Sequence, residues 1–294
     1  MSVTLGLWTI ASTSHEGVAG DSFQELSLVA RQRLDIAMQK RGLVRSRAQA
    51  ELLIDDQQVL VNGSLAVKPA RLVANTDAIE LLRTRDWRPR GYDKLDGALS
   101  DCDIRPADMT CLDVGSSTGG FVKALLDRGA RSVIAVDVGT GQLDAQLRKD
   151  ARVSVHEQTD IRGFLWPLSN PPDLVTVDVS FISVTKIATS LRLLSGAETQ
   201  LLLLIKPQFE VDREVASRHR GVIRDADLHA GVLETVLDDL ADHGLFPQQL
   251  VRSRRKGSKG NQEYFVHLFP ASRYSISKQD SSYKHLIADV LGTN

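Results

Sequence analysis

Residues 112–121 limit the possible folds of this chain more than any other stretch. They read as the end of a buried strand, a tight loop containing Gly115, Gly119 and Gly120, and the first turn of a helix. In an open α/β sheet this arrangement brings backbone N–H groups and a carboxylate to the mouth of the ligand crevice. Asp137 ends a second apolar run about twenty residues later, where this class of fold carries a ribose-binding carboxylate. The pattern predicts a nucleotide-like ligand; the alternative is a βαβ unit whose glycines only permit close helix packing.

The composition is that of a globular protein. The 294 residues allow one large or two ordinary domains, and 36 lysines and arginines nearly balance 37 aspartates and glutamates. Any affinity for nucleic acid must therefore come from local clusters of cations. The two cysteines, Cys102 and Cys111, predict small buried side chains with no disulfide and no zinc site. Because no apolar run approaches about 20 residues and the N-terminus lacks the basic start of a signal peptide, we expect a cytoplasmic protein with no membrane or metal partner.

The first 83 residues predict a leader followed by a small α+β module. Residues 1–28 lack sustained periodicity and are predicted to be a mobile leader, and the module occupies residues 29–83. A capping box at 46–49 opens its second helix, and Asn62 with Gly63 forms the turn of a hairpin. The local patterns predict two helices, a hairpin and a last strand, at 31–41, 46–54, 59–67 and 79–82.

Cations are concentrated in this module and in the linker that follows it. Residues 31–83 contain nine lysines or arginines and six aspartates or glutamates. The linker, residues 84–91, is basic and is broken by Pro89 and Gly91. Such a surface could bind RNA phosphates, although a solvated helical surface is equally consistent with the composition. The candidate RNA-binding residues are Arg31, Arg33, Arg41, Arg45, Arg47, Lys68, Arg85, Arg88 and Arg90.

Residues 92–270 alternate between apolar runs and helical patterns, and a polar tail follows at 271–294. Runs without polar interruption, such as 201–205, are typical of strands covered on both faces, which predicts a mostly parallel, doubly wound sheet between helices. An amphipathic helix is predicted over 225–243. The predicted strands are 110–114, 132–137, 153–155, 173–178, 201–205 and 264–269.

Four polar residues stand at the ends of predicted elements. Asp178 and Lys206 each follow a strand, Glu263 begins the last strand, and Lys94 lies on a helix before the first. Because the carboxyl ends of parallel strands line one crevice, we expect Asp178 and Lys206 to lie together there. A lysine acts as a base at neutral pH only where burial or nearby cations favour the neutral amine, and neighbouring carboxylates oppose this. The alternative is that each residue is simply solvated or salt-bridged.

The N-terminal module carries short motifs at 33–35, 42–44, 46–50, 59–63 and 68–69. Together these motifs resemble the S4 RNA-binding domain. The resemblance implies a module that clamps structured RNA with its basic surface.

A longer series of motifs lies at 90–99, 113–121, 137–143, 178–183, 205–210, 221–225 and 256–263. This series resembles the TlyA family, whose members are named both as haemolysins and as ribosomal RNA 2'-O-ribose methyltransferases. The resemblance covers roughly residues 31–269. It implies an FtsJ-like catalytic domain, that is, a class I, Rossmann-like methyltransferase with a doubly wound seven-stranded sheet that uses S-adenosyl-L-methionine.

The resemblance also implies a catalytic tetrad, which maps onto Lys94, Asp178, Lys206 and Glu263. A sulfonium methyl group is already activated, so the enzyme has to align a ribose 2'-hydroxyl with it and assist loss of the hydroxyl proton. We expect Lys206 to accept that proton and Asp178 to position it, while Lys94 and Glu263 hold the ribose.

The implied donor contacts come from the glycine loop and two acidic residues. The loop at Gly115 would face the methionine part, Asp137 would hold the ribose hydroxyls, and Asp160 would bind the adenine amino group. The full implied set is Asp113, Gly115, Ser116, Ser117, Thr118, Gly119, Gly120, Phe121, Asp137, Val138, Asp160 and Asp178.

The implied substrate is ribosomal RNA in its subunits, with a cytidine of the large-subunit RNA as the expected target. Family members differ in whether they also modify the small subunit, and the leader and tail of this chain favour both. Two alternatives stay open. A membrane-active cytolysin would need a secretion signal, a spanning segment or a basic amphipathic helix, which the sequence does not predict. A non-catalytic RNA-binding assembly factor would keep the same fold.

Overall fold

The computed structural model describes residues 30–82, 88–257, 259–270 and 283–292. The predicted leader, Arg85 and residues 271–282 of the predicted tail lie outside the described residues. In chain order, the elements of the N-terminal module are β1 (Arg31–Arg33), α1 (Leu34–Lys40), α2 (Arg47–Asp55), β2 (Val59–Val61), β3 (Ser64–Leu65), β4 (Leu72–Ala74) and β5 (Ile79–Leu81).

Local chemistry accounts for the predicted helix start and hairpin in this module. Ser46 Oγ accepts the N–H of Gln49 at 3.1 Å and so caps α2. Asn62 and Gly63 have φ values of 52° and 74°, as a tight hairpin turn requires, and β2 pairs antiparallel with both β3 and β5. The fully buried core residues of the module include Leu34, Ala37, Met38, Ala50, Ile54, Val59, Ala66 and Val73.

Two local features differ from the prediction. The sequence places residues 31–33 at the start of the first helix, whereas they form β1 and pair antiparallel with β4. The helix begins only at Leu34, whose N–H donates to the carbonyl of Arg71 at 2.7 Å. The second hairpin strand is also shorter than predicted, ending at Leu65, shortly before Pro69, which cannot continue a ladder of N–H donors.

The C-terminal domain supplies the large sheet. Its helices and strands are α3 (Arg90–Asp101), β6 (Thr110–Val114), α4 (Gly120–Asp127), β7 (Ser132–Val136), β8 (Val153–His156), β9 (Leu174–Val177), α5 (Ala188–Leu194), β10 (Gln200–Ile205), α6 (Pro207–Glu210), α7 (Arg213–Arg218), α8 (Ala226–Asp242), β11 (Leu245–Arg252), β12 (Tyr264–Pro270) and α9 (Lys284–Leu291).

Among the described residues the sheet has seven strands in the order β11-β12-β10-β9-β6-β7-β8. The strands from β10 to β8 in that order are parallel, and β12 runs antiparallel to both β10 and β11. Apolar clusters cover both faces, one built on Leu203, Leu233 and Val266, the other on Leu99, Leu125 and Phe265. This arrangement confirms the predicted doubly wound α/β fold, and the six predicted strands are all present.

Two elements at the C-terminal end of the domain were not predicted. β11 is an edge strand whose pairing is irregular between Pro247 and Gln249, so its apolar residues do not alternate regularly. Part of the predicted polar tail is α9, which packs on the domain core through Tyr283 and Ile287, both buried. Residues 284–291 therefore belong to the folded domain. The predicted boundary at residues 91 and 92 also falls inside α3, which begins at Arg90.

The register of the sheet brings several strand ends to one edge. Val114, at the end of β6, is paired with Val136 on one side and Val177 on the other. On the far side of β9, β10 pairs with β12 so that Ile205 lies opposite Tyr264. The residues that follow or precede these strands therefore converge. Within the described part of the chain, no helix is both long and apolar enough to cross a membrane.

Candidate active site

The glycine loop after β6 packs directly on the end of the neighbouring strand. Gly115 has a φ of 83°, and a Cβ atom there would collide with the carbonyl group of Asp178. Gly119 has a φ of 95° at the start of α4. A Cβ on Gly120 would lie 2.8 Å from the Cα of Gly91 in α3. The glycines thus allow both a left-handed turn and close backbone contact, so packing alone accounts for part of the motif.

Asp137 is fixed in place by the loop that it faces. Its Oδ2 accepts the N–H of Ser117 at 2.8 Å, and its Oδ1 accepts the N–H of Gly139 at 2.6 Å. A carboxylate oxygen has two lone pairs, so each oxygen keeps one for a further donor. Asp137 is partly exposed and borders a cavity, which places an oriented pair of acceptors where ribose hydroxyls could bind.

This cavity, which we call the donor cavity, has a volume of about 600 Å³. That volume falls within the usual range for small-molecule sites. Its walls combine polar groups with apolar side chains, among them Val114, Val136, Val138, Ile161, Ile182 and Ile187. A carboxylate opposite apolar walls is suited to a nucleoside, because the base needs an apolar slot and the ribose needs acceptors.

Asp160 borders the donor cavity, but its carboxylate is already engaged. The Arg162 guanidinium donates to both carboxylate oxygens, with Nη2 2.5 Å from Oδ2. The backbone N–H of Arg162 also donates to Oδ1, at 2.9 Å. The Arg162 guanidinium lowers the pKa of Asp160 to about 2. The predicted contact with an adenine amino group would have to share these oxygens with Arg162.

Half of the predicted donor set does not line the donor cavity, namely Asp113, Ser116, Thr118, Gly119, Gly120 and Phe121. Asp113 is fully buried. Gly119 stands at the start of α4, behind the cavity wall. Phe121 is buried and packs against Phe265, with ring centroids 5.9 Å apart. These residues shape the loop and the helix behind it rather than the donor cavity wall.

The predicted tetrad comes together as two ion pairs. Lys94 Nζ lies 2.6 Å from Glu263 Oε2, and the two residues are 169 positions apart in the chain. Lys206 Nζ lies 2.5 Å from Asp178 Oδ1 and donates to Ser180 Oγ at 2.8 Å. The side chains of Lys94, Glu263 and Lys206 are less than a tenth exposed, whereas that of Asp178 is 20% exposed.

All four tetrad residues line a second cavity of about 330 Å³, which we call the tetrad cavity. The tetrad and donor cavities share Gly115, Ser117 and Asp178 in their walls, so they meet at the glycine loop. Ser116, Thr118, Gly120 and Phe121 also border the tetrad cavity. A ligand in the donor cavity would therefore have one end directed at the tetrad.

Two groups at this crevice were missed by sequence reasoning. Phe181 is 91% exposed with a φ of 66°, and its ring centroid is 5.1 Å from that of Phe209. An aromatic residue three positions after a predicted strand-end aspartate is the signal that could have identified it. Leu52 and Asp55 of α2 border both cavities, so the N-terminal module forms part of the wall. No local sequence pattern predicts that contact.

The predicted RNA-binding cations divide into a group with contacts inside the protein and a group that is exposed. Arg33 and Arg47 both donate to Asp35, and Arg41 donates to backbone carbonyls of residues 74, 75 and 77. Arg88 lies over the ring of Tyr92, 4.6 Å from its centroid. The second group consists of three exposed cations, Arg31, Arg45 and Lys68.

Comparison with known proteins agrees with this geometry. The model of the FtsJ-like methyltransferase family matches residues 87–269, and the S4 domain model matches residues 32–79. The 16S/23S rRNA (cytidine-2'-O)-methyltransferase TlyA of Mycobacterium tuberculosis is 41% identical over 245 residues, covering 82% of this chain and 91% of the relative. The 23S rRNA (cytidine-2'-O)-methyltransferase TlyA of Campylobacter jejuni is 34% identical over 257 residues, covering 80% and 98%.

A solved structure from Streptococcus thermophilus that carries the name hemolysin superposes with a TM-score of 0.66. Its sequence is 33% identical, and the match covers 89% of this chain and 96% of that structure. The glycine loop, the tetrad and the S4 module are thus found together in a chain that matches these relatives over most of its length. The chain belongs to the FtsJ-like methyltransferases and, within them, to the TlyA family of enzymes with an N-terminal S4 domain.

Proposed function

We propose that this enzyme transfers a methyl group from S-adenosyl-L-methionine to the 2'-hydroxyl of a cytidine ribose in ribosomal RNA. The observation that carries the proposal is the position of the Lys206–Asp178 pair, where the donor cavity and the tetrad cavity meet. The relatives' names point to the same chemistry, and they include both large-subunit and dual-subunit enzymes.

The donor cavity has the groups that this cofactor requires. Asp137 would hold the ribose hydroxyls, the apolar walls would enclose the adenine, and the loop from Gly115 to Thr118 would face the methionine part. When bound, the cofactor would supply a methyl group already activated by a positively charged sulfur. The protein therefore has to align the acceptor hydroxyl and remove its proton.

Lys206 is oriented for the removal of that proton. A neutral amine has two N–H bonds and one lone pair. Nζ donates a hydrogen bond to Ser180 Oγ at 2.8 Å and lies 2.5 Å from Asp178 Oδ1, so these two groups hold the amine in place. The lone pair of Lys206 would then be free to accept the proton of the acceptor 2'-hydroxyl. Asp178 positions the amine, and the buried Lys94–Glu263 pair would hold the ribose beside it.

The first experiment incubates the protein with S-adenosylmethionine labelled in the methyl group and with large subunits, small subunits or free ribosomal RNA. We expect label in a ribose of the large-subunit RNA, mapped by its resistance to alkaline cleavage. Label in the small-subunit RNA as well would identify a dual-subunit enzyme. If the protein binds the donor but labels none of the three, it is a binding factor and the proposal is wrong.

Replacing Lys206 tests the mechanism. Lys206→Ala should bind the donor within a few-fold of wild type, measured by calorimetry, because the donor cavity is unchanged. Methyl transfer should fall by roughly 10²–10⁴-fold, the usual range for a lost general base. Lys149→Ala, which removes an exposed lysine from another part of the domain, is the matched control. Wild-type turnover in the Lys206 variant would remove this residue from the mechanism.

The cytolysin alternative is supported only by the haemolysin name that some relatives carry. The proposed methyl transfer gives the two ion pairs of the tetrad a role, whereas disruption of a membrane does not.

A further inference from the structure

Two segments beside the tetrad carry a high density of exposed cations. They are residues 218–224 and residues 252–257 with 259–260, and we call them the basic loop pair. Neither belongs to the predicted RNA-binding set. The exposed cations of the loop pair are Arg218, Arg220, Arg224, Arg252, Arg254, Arg255, Lys256 and Lys259.

A buried asparagine holds the two loops together. Asn261 is 3% exposed, and its Oδ1 accepts the N–H of Ile223 at 2.9 Å. Its Nδ2 donates to the carbonyl of Gly221 at 2.7 Å, and its own carbonyl accepts the N–H of Gly257 at 2.9 Å. Buried amides bonded on both sides fix backbone geometry, because breaking one bond leaves a buried polar group without a partner. Asn261 therefore fixes the backbones of the two loops against each other at residues 221, 223 and 257.

A second buried network anchors the first loop to β12. His229 Nε2 lies 3.2 Å from the carbonyl oxygen of Ile223, and its Nδ1 lies 2.8 Å from the hydroxyl of Tyr264. Since Ile223 offers an acceptor, Nε2 carries the proton and Nδ1 accepts from Tyr264. His229 and Tyr264 are both buried. Tyr264 directly follows Glu263, so this network ends at the tetrad.

The second loop contacts the tetrad itself. The N–H of Ser253 donates to the carbonyl of Glu263 at 2.8 Å. A Cβ on Gly257 would collide with Oε1 of Glu263, so the loop backbone packs against that carboxylate. The second loop of the loop pair therefore lies beside the tetrad cavity.

Intramolecular ion pairs account for only some of these cations. Arg254 pairs with Asp101, and Arg255 pairs with Asp93 at 2.7 Å. Among the described residues, no carboxylate lies within ion-pair distance of Arg220, Arg224 or Lys259. The amine of Lys259 would lie 3.8 Å from a Cβ atom on Gly221, so this cation of the second loop approaches the backbone of the first loop. Neighbouring cations repel one another, so a surface whose backbone holds several of them together favours a polyanion as its ligand.

We propose that the basic loop pair is a second RNA-contacting surface, which binds backbone phosphates flanking the target nucleotide. This inference rests on the proposed function, because it assigns the loops to the same RNA substrate. Phosphate contacts position a strand without reading its sequence. The S4 module would hold a structured region of the RNA, and the loop pair would hold the strand whose ribose reaches Lys206.

The test reverses two unpaired charges, with Arg224→Glu and Lys259→Glu combined in one variant of the full chain. The matched control is the double variant Arg131→Glu and Lys149→Glu, which makes the same charge change at exposed cations elsewhere in the domain. We expect the dissociation constant and the KM for ribosomal RNA to rise about tenfold or more. The logarithmic salt slope of RNA binding should fall by about 1.5, since each lost phosphate contact removes about 0.7–0.9.

Three further measurements separate this role from other outcomes. Donor affinity should match wild type, which shows that the domain is folded. The conservative variant Arg224→Lys with Lys259→Arg should restore RNA affinity. If wild type methylates RNA and the reversed variant equals the control in affinity, KM and salt slope, the loop pair does not contact RNA and the proposed function still stands. If wild type methylates no RNA, the proposed function fails first, and the loop pair then has no RNA substrate to position.

Discussion

The N-terminal module and the catalytic domain each contain a fully buried aspartate, and the two have opposite electrostatic surroundings. Asp35 accepts hydrogen bonds from Arg33 and Arg47, both at 2.9 Å. Asp113 accepts one from the hydroxyl of Thr176 at 2.7 Å, and its Oδ2 is buried without a partner. The Arg33 guanidinium, helped by Arg47, lowers the pKa of Asp35 to about 2. Burial raises the pKa of Asp113 to about 8.

The difference shows what each region needs from its carboxyl group. In the module, two arginines that the sequence alone assigns to RNA also stabilise the fold, because each neutralises part of a buried charge. In the catalytic domain, Asp113 lies behind the glycine loop, and the nearby charges of Asp178 and Asp137 raise its pKa further. Neutral Asp113 then supports β6 and β9 through Thr176, while Asp137 and Asp178 lie at the crevice.

The largest expected effect comes from Asp113→Asn, which replaces the neutral acid with an uncharged group of the same shape. In the wild type the folded state takes up a proton that the unfolded state releases above pH 4. The stability of the wild type therefore falls as the pH rises from about 4 to about 8. The asparagine variant lacks this loss. Its advantage in the free energy of unfolding should widen by about 1.4 kcal/mol per pH unit and reach roughly 4 kcal/mol at pH 7.

Urea unfolding of both proteins between pH 5 and pH 7.5, followed by tryptophan fluorescence, measures this widening. Asp108→Asn changes an exposed aspartate of the same domain and should show no such trend. A constant difference between Asp113→Asn and wild type would mean that Asp113 is charged in the folded protein, and the comparison with Asp35 would fail.

The reverse result is expected for Asp35→Asn. A lowered folded-state pKa adds stability above the unfolded pKa, and this contribution disappears as the pH falls from about 4 to about 2. At pH 7 the variant should lose about 2 kcal/mol, confined to the N-terminal module. Hydrogen exchange should therefore accelerate in residues 30–82 and stay unchanged in β6 and β9. Glu80→Gln, at an exposed position of the same module, is the control. Equal loss of protection in both domains would show that the module does not unfold separately.

Regular patterns predicted most of the fold. Strands β6, β7, β9 and β10 were predicted to within one residue of each end, because continuous apolar runs have few alternatives in a buried sheet. β11 was missed because Pro247 and the irregular register interrupt its alternation at the sheet edge. α9 was missed because a short amphipathic segment is stable only when it packs on an existing core, here through Tyr283 and Ile287.

The convergence of the four tetrad residues could be predicted in part, whereas their pairing could not. Topology alone predicts that Asp178 and Lys206 meet, since both follow parallel strands. That Lys94 pairs with Glu263 depends on α3 packing beside the start of β12, which no local pattern encodes. Likewise, an arginine in a basic segment reads the same whether it faces solvent or a buried carboxylate. Arg33 and Arg47 are assigned to Asp35 only once the fold is known.

The smallest expected effect concerns Arg47, which the comparison leaves with two possible roles. Its side chain is 51% exposed, so it can touch Asp35 and still reach a phosphate. Arg47→Ala leaves Arg33 on Asp35, and the loss in module stability should be only about 0.5 kcal/mol because solvent screens the lost contact. RNA affinity should fall a few-fold, with a salt slope lower by about 0.7–0.9, if Arg47 also contacts a phosphate. Unchanged RNA binding together with the small stability loss would assign Arg47 to Asp35 alone, and the RNA surface of the module would then centre on Arg31, Arg45 and Lys68.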